Sequence, residues 1–216
     1  MLFIQRPANA CKLYRRFTGL TGKKHKHKLY RMKWSQTSAI RRPQLRLVIG
    51  IILAGILLVW GVFYWRIHAY DAAIAEASQL YGVDARLIRA VIWKESRFQH
   101  HRVGKAGEIG LMQVTLNAAL DWAKANHETN FVRNDLFRPD VNIQAGTWYL
   151  GRAIRAWDAK PNPLPYALAE YNAGRLNSLR WAVSDHNDAN KFWNNITYPT
   201  TRRYVQDILI DYRGYR

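Results

Sequence analysis

Hydrophobic and polar positions along this chain fall almost everywhere into helical patterns. Residues 47–65, LVIGIILAGILLVWGVFYW, form an unbroken run of 19 uncharged, mostly apolar residues. At ~1.5 Å of rise per residue, a helix of that length spans roughly 28 Å, close to the ~30 Å apolar core of a bilayer. Beyond it, apolar residues recur at the spacing of one helix face. Residues 70–81 line up Ala73, Ala77 and Leu80 before Gly82 breaks the pattern. Asp84 offers an N-cap to the next helix, whose Leu87, Ile88, Val91 and Ile92 make an apolar stripe. A loop spaced by Gly104, Gly107 and Gly110 follows. Helices are then expected over 116–125, behind Thr115, and from Asp140 to Trp157, with Ile143, Trp148, Leu150, Ile154 and Trp157 in the core. Leu136-Phe137-Arg138-Pro139 reads as a turn before the second of these. Pro161, Pro163 and Pro165 stiffen the link to a helix that starts near Leu164 and stops at Gly174, and 175–184 and 201–212 complete the set. No segment shows the period of two that a half-buried strand requires, and no internal repeat is present. The expected fold class is therefore mainly α: a helical domain over 70–216, preceded by one N-terminal transmembrane helix over 47–65.

Charge sharpens this division. The net charge is +18, yet residues 1–70 hold 14 Lys and Arg and no acidic residue, whereas 71–216 hold 19 basic and 15 acidic residues. The extreme basicity thus belongs to the N-terminal segment. Residues 1–45, densest at Lys23-Lys24-His25-Lys26-His27-Lys28, read as a disordered cytoplasmic tail. Charge alone makes no nucleic-acid binder, and no motif that reads DNA or RNA accompanies it. Arg46 and Arg66 bracket the apolar run, and Trp60, Tyr64 and Trp65 gather at its far end as an interfacial belt does. The positive-inside rule then sets 1–45 in the cytoplasm and 67–216 across the membrane. Three rival readings of this region are a buried core helix, a cleaved signal peptide and a lipoprotein signal. The run is long for a buried helix without a polar residue, and longer than a signal core of ~7–15 residues. Ala75-Glu76-Ala77 fits a cleavage site only formally, inside a helical stretch. Ala10-Cys11 lacks the apolar core a lipoprotein signal needs. An uncleaved anchor is the reading adopted, which implies a single-pass protein with its domain on the far side of the membrane.

Candidate chemistry is mostly exclusion. A single cysteine, Cys11, rules out an intramolecular disulfide and a cysteine-based zinc site. The histidines beyond the apolar run, His68, His100, His101, His127 and His186, have no metal-ligand spacing. Neither a nucleophile elbow nor a phosphate-binding glycine loop occurs. No metal and no cofactor is called for. Carboxylate chemistry remains. Glu95 lies four residues after Val91 and eight after Leu87, so a helix projects it from the apolar stripe. Buried there, its carboxyl would have a raised pKa and serve as a general acid or base. The same stretch also fits a helix that simply ends with Glu95 in solvent, and the stretch alone leaves both open. The aromatic-rich surroundings suit a glycan, because rings stack on sugar faces and Asn and Gln amides bond hydroxyl and acetamido groups. Aromatics at helical spacing, such as Trp148 and Trp157, are read as core.

From residue 70 onward the chain resembles the soluble-lytic-transglycosylase-like family, related in fold to goose-type lysozyme. Four blocks carry the resemblance: Glu95-Ser96; Gly110-Leu111-Met112-Gln113, fifteen residues after the glutamate; Tyr171-Asn172-Ala173-Gly174; and Thr201-Arg202-Arg203-Tyr204-Val205. Leu136–Pro139, Asn142-Ile143, Gly146 and Tyr149-Leu150 add a further stretch. The resemblance implies a lysozyme-like domain that cleaves the β-1,4 bond between N-acetylmuramic acid and N-acetylglucosamine in peptidoglycan, leaving 1,6-anhydromuramoyl ends. Glu95 would be the single catalytic carboxyl and Tyr204 its catalytic neighbour. Ser96, Met112, Gln113, Tyr171 and Asn172 would build the substrate-binding side, Ser96 by ordering the helix end. Partners would be glycan strands and, through 47–65, the membrane; envelope-complex partners stay open. The chain departs from the family at Gly104, where a serine is common, at Glu108 after Gly107, at Glu170 before the Tyr-Asn pair and at Thr200. Glu108 or Glu170 beside Glu95 would raise its pKa further or activate a water, which would make a lysozyme-type muramidase. An idle glycan-binding module is the remaining alternative.

Overall fold

The computed structural model describes residues 42–185 and 188–214. The basic segment expected over 1–45 lies, up to residue 41, outside the described residues, as do Cys11 and His186. Nine α-helices are present among the described residues: α1 Arg42–His68, α2 Asp71–Tyr81, α3 Ala85–Ser96, α4 Leu116–Ala125, α5 Pro139–Ala156, α6 Leu164–Ala173, α7 Arg175–Ala182, α8 Ala189–Asn195 and α9 Pro199–Gly214. A 3₁₀ turn covers Arg133–Phe137. The mainly helical class is as the hydrophobic pattern requires.

Every large apolar side chain of α1 from Leu47 to Trp65 is exposed. This helix is therefore no core element of the domain. Among the described residues it is the one helix long and apolar enough to cross a membrane. It continues without a break past the apolar run to His68, and only Ala69 and Tyr70 separate it from α2.

In α2 the buried residues are Ile74 and Ala77, while Leu80 is exposed. The inward stripe is thus turned from the expected Ala73–Ala77–Leu80 line, because the bulkier Ile74 takes the core position. Gly82 ends α2 in the left-handed region, φ 68°, with its N–H donating to the Ser78 carbonyl. Asp84 caps α3 by accepting from the Arg86 N–H at 2.8 Å, a contact that contributes about 1 kcal/mol in typical helices. Leu87, Ile88, Val91 and Ile92 of α3 are all buried, each burial favouring the fold by ~1.5–3 kcal/mol.

Helix α5 is the centre, packed against α2, α4 and α6. It starts on Pro139, whose missing N–H costs nothing in a first turn. Its Ile143 and Leu150 are buried, as is Trp157 just past its end, but Trp148 and Ile154 are only half-buried. The Trp148 ring instead faces the Arg152 guanidinium, 5.2 Å from the ring centre. Gly146 lets the chain carrying Met112 approach, since a Cβ there would stand 2.6 Å from Met112 Cβ and Sδ. Helix α8 has no counterpart in the sequence reading. It has seven residues, too few to show a period, and Phe192 anchors it by stacking on Tyr166 with ring centres 3.9 Å apart. The glycine-spaced loop closes on itself through two antiparallel bridges, Val103 with Ile109 and Ile109 with Val114.

Asn142 ties that loop to α5. Fully buried, it donates to the carbonyls of Ile109 and Leu136 at 2.8 and 2.9 Å and accepts from the Met112 N–H at 2.9 Å. Asn142→Ala strips partners from three buried backbone groups, each costing about 1–3 kcal/mol when left unmade. The variant is expected to lose several degrees or more in Tm by calorimetry, and Asn142→Asp, which sets a buried carboxylate against the Ile109 and Leu136 carbonyls, should lose at least as much at neutral pH and recover part of the loss as pH falls.

Candidate active site

Two antiparallel helices, α3 and α9, position the acid. Three side-chain contacts fix their register. Tyr212 donates to Asp84 at the N-terminus of α3 (3.0 Å), Lys94 pairs with Asp207 (2.5 Å), and Tyr204 donates its phenol to Glu95 Oε1 (2.7 Å). Glu95 therefore belongs to the apolar stripe and is not a frayed helix end. Its backbone is helical, and the helix stops two residues later at Arg97, which adopts φ 55° with its N–H bonded to the Trp93 carbonyl. Phe98 follows at φ 60°, so two consecutive non-glycine residues hold the left-handed region beside the acid. Such conformations cost of order 1 kcal/mol or more each and persist where packing imposes them. Phe98 is buried, which supplies that packing.

Burial pushes the Glu95 carboxyl up from the ordinary 4.5 to about 7. The Tyr204 hydrogen bond and the charges of Arg102 and Lys94 oppose that rise, while the Glu108 carboxylate adds to it. Tyr204 is itself buried and lies against Glu95, so its phenol is held protonated far above its usual range and stays a donor. Tyr171, from α6, is likewise raised by burial and by the nearby Glu95 charge. Its phenol donates to the Met112 carbonyl at 2.9 Å, and its ring meets Tyr149 edge-on with centres 5.7 Å apart. The result is a carboxyl that carries a proton near neutrality within a wall of tyrosines.

The residues expected around Glu95 divide into those beside the acid and those that hold the backbone around it. Tyr204 and Tyr171 stand at the acid. Asn172 is exposed, its Oδ1 accepting from Thr201 at 2.7 Å. Gln113 holds the loop: its Nε2 donates to the carbonyls of Arg102 and Gly110 at 3.2 and 2.9 Å. It does so from φ 47°, a further non-glycine residue in the left-handed region. The side chains of Ser96 and Met112 are fully buried. Ser96 is fully buried and donates to the Ile92 carbonyl at 3.2 Å, so it orders the helix end. Met112 has no exposed surface, packs against Gly146, and contributes through its backbone carbonyl to Tyr171.

The two extra carboxylates also separate. Glu170 is buried and engaged by Trp157 Nε1 at 2.8 Å and Arg175 Nη1 at 2.7 Å, a structural ion pair. Glu108 accepts from the Ala106 N–H at 3.0 Å and lies over Gly104, where any Cβ would overlap its carboxylate and stand 2.8 Å from Gln113 Oε1. The Glu108 carboxylate thus fills the room that a side chain at 104 would need. Asn142, Thr201 and Tyr149 complete the support. None was singled out as a site residue from sequence, although a lone asparagine within the apolar period of α5 was a usable sign of Asn142. No group of three or more His, Cys, Asp or Glu side chains with metal-holding geometry occurs among the described residues.

Residues 72–194 match the family profile described as the transglycosylase SLT domain. Membrane-bound lytic murein transglycosylase C of Pectobacterium atrosepticum is 30% identical over 176 residues, covering 70% of this chain and 48% of that protein. Its namesake from Salmonella typhimurium is 31% identical over 170 residues, with 70% and 47% covered. Among solved structures, an inactive mutant of the lytic transglycosylase Slt from Pseudomonas aeruginosa superposes with a TM-score of 0.63 at 26% identity, over 68% of this chain and 24% of that one. The 70 kDa soluble lytic transglycosylase of Escherichia coli gives 0.60 at 24% identity over the same shares, a likeness of fold. The chain spans about half the length of these curated relatives.

Two outcomes follow for Glu95. Its folded pKa lies above the unfolded value, so the stability tied to its proton is complete below pH 4.5 and is lost as pH rises through about 7. Glu95→Gln should therefore raise Tm at pH 8 and change it little at pH 4, as read by scanning calorimetry. Tyr204→Phe removes a donor to the carboxylate, so the alkaline limb of the pH–rate profile should move to higher pH. The rate should fall roughly tenfold or more, the worth of a hydrogen bond to a charged group.

Proposed function

The chain belongs to the transglycosylase SLT domain family, and from that premise we propose that it is a membrane-anchored lytic transglycosylase of peptidoglycan. The observation that carries the reading is one carboxyl, raised to about 7 and bonded at 2.7 Å by a tyrosine that stays protonated. A group with that pKa gives and takes a proton at neutral pH with little penalty either way. Protonated Glu95 donates to the glycosidic oxygen as the bond from C1 of the muramic residue breaks. The carboxylate left behind accepts the proton of the C6 hydroxyl as O6 bonds to C1. Bonds and protons balance without water, and the acid returns to its starting state. Tyr204 donates to Oε1 throughout, which stabilises the carboxylate between the two transfers. Tyr149, Tyr171 and the exposed Asn172 offer rings and an amide to the sugars.

The domain boundaries adopted are 1–45 for the basic cytoplasmic segment, 47–65 for the anchor and 70–216 for the catalytic domain. The exposed apolar face of α1 supports the anchor, and the 13 basic residues before residue 47 support a cytoplasmic N-terminus. Both favour an inner-membrane protein acting in the periplasm. Neither a cofactor nor a nucleic acid has a part in this reading.

Glu108 favours a second reading. A carboxylate whose charge reaches Glu95 could hold the water of a muramidase, since hydrolases of this chemistry use a second carboxylate to activate it. Mass spectrometry of digested peptidoglycan separates the two. Anhydromuramoyl ends are expected from the wild type, and reducing ends would replace the first reading with the second. Glu95→Gln should slow digestion by about 10²–10⁴-fold, the range for a lost general acid. The double variant Gly104→Ser, Glu108→Ala should keep anhydro products and shift the alkaline limb to lower pH.

A further inference from the structure

The last turns of α1 are fastened to the helix that carries the acid. Phe63, inside the apolar run, sets its ring edge-on to Trp93 of α3 with centres 6.0 Å apart. Arg66, the first charged residue after the run, donates to the carbonyls of Arg97 and Phe98 at the C-terminus of α3. In return Arg89 of α3 donates to the Ile67 carbonyl at 3.1 Å and pairs with Asp71 at the start of α2. Arg97 also covers the Trp93 ring, 4.2 Å from its centre. Trp93 and Arg97 flank Glu95 two residues to either side. The acid thus lies within one helical turn, ~5 Å of rise, of residues that touch the end of the membrane run. A tether built for reach would be a Gly-, Ser- or Pro-rich linker. Here the helix runs unbroken to His68, and two residues, Ala69 and Tyr70, join it to the domain.

We propose that the cleft is held at a fixed height against the bilayer, and that its substrate is glycan lying at the membrane surface: strands still carried on a lipid anchor. Cross-linked wall at a distance from the bilayer is out of its reach. This rests on the anchored lytic transglycosylase reading and narrows its substrate class. Rigidity is the working element. An anchor that hinged at residue 69 would let the domain sweep outward, and the Phe63–Trp93 and Arg66–Arg97 contacts oppose that hinge. Trp93 and Arg97 on the same turn are residue types suited to the headgroup layer, aromatic and basic.

The length of the lipid-bearing stub tests this. Full-length protein is reconstituted into phosphatidylethanolamine–phosphatidylglycerol vesicles together with uncrosslinked glycan strands that end in a polyprenyl pyrophosphate. The stub left on the lipid after digestion is sized by mass spectrometry. The wild type should leave short stubs of narrow distribution and spare cross-linked wall fragments added outside. A Gly/Ser linker of about 20 residues inserted between His68 and Ala69, adding roughly 25 Å of reach, should lengthen the stubs severalfold and bring the added wall under attack. The double variant Phe63→Ala, Arg66→Ala loosens the same joint without adding chain and should shift stub length in the same direction. Free glycan strands in detergent should be cut equally by all three proteins. Equal stub lengths for wild type and both variants, with that detergent activity intact, would overturn the fixed-height proposal alone. Loss of detergent activity in every protein, wild type included, would overturn the lytic reading and the proposal with it.

Discussion

The rest of the domain depends on keeping one carboxyl largely desolvated and bonded at the same time, although its residue is only half-buried. Desolvation alone would hold the Glu95 carboxyl protonated well above neutral pH, a weak acid slow to give its proton away. The Tyr204 phenol at 2.7 Å prevents that by stabilising the carboxylate, and the pKa settles at about 7. This balance requires α9 to lie antiparallel to α3 in one register. Lys94 with Asp207 and Tyr212 with Asp84 hold that register along the length of α3. A slip of one residue would rotate Tyr204 away from the acid by ~100°, so the two outer contacts serve the chemistry although neither touches it.

A second layer holds the loop opposite the acid. Asn142 satisfies three backbone groups of that loop and the adjoining turn, and Gly146 allows Met112 to settle against α5. Met112 in turn presents its carbonyl to Tyr171. The path from the middle of α5 to the tyrosine wall is therefore a chain of short hydrogen bonds and close packing. Left-handed backbone at Arg97, Phe98 and Gln113 lies next to the acid or in this loop. The site is thus stiff, which suits a mechanism that moves only protons and one ring-closing oxygen.

Much of this was legible in the residues themselves. Helices appeared where apolar residues recurred, and caps at Asp84 and Thr115 and the stop at Gly82 fell where the chain supplied them. Ile74 shows the limit: its neighbours Ala73 and Leu80 fit a face equally well by spacing, and only packing against α5 selects the larger side chain. Helix α8 was illegible because seven residues carry no period and Phe192 is its only buried residue. Ser96 and Met112 lie in motif blocks that mark the cleft, yet motif membership does not distinguish a side chain that meets substrate from one that positions the backbone behind it. Glu170 and Glu108 make the same point with charge. Both were open candidates beside the acid, but Glu170 is taken up by Trp157 and Arg175, while Glu108 occupies space that only Gly104 leaves free.

The central claim is that Glu95 is a neutral acid near physiological pH, poised to act in both directions. Carboxyl ¹³C NMR of glutamate-labelled protein, compared with Glu95→Gln to assign the resonance, measures this directly. The account predicts one glutamate titrating near pH 7 that disappears in the variant. A Glu95 resonance titrating at the ordinary value near 4.5 would contradict it.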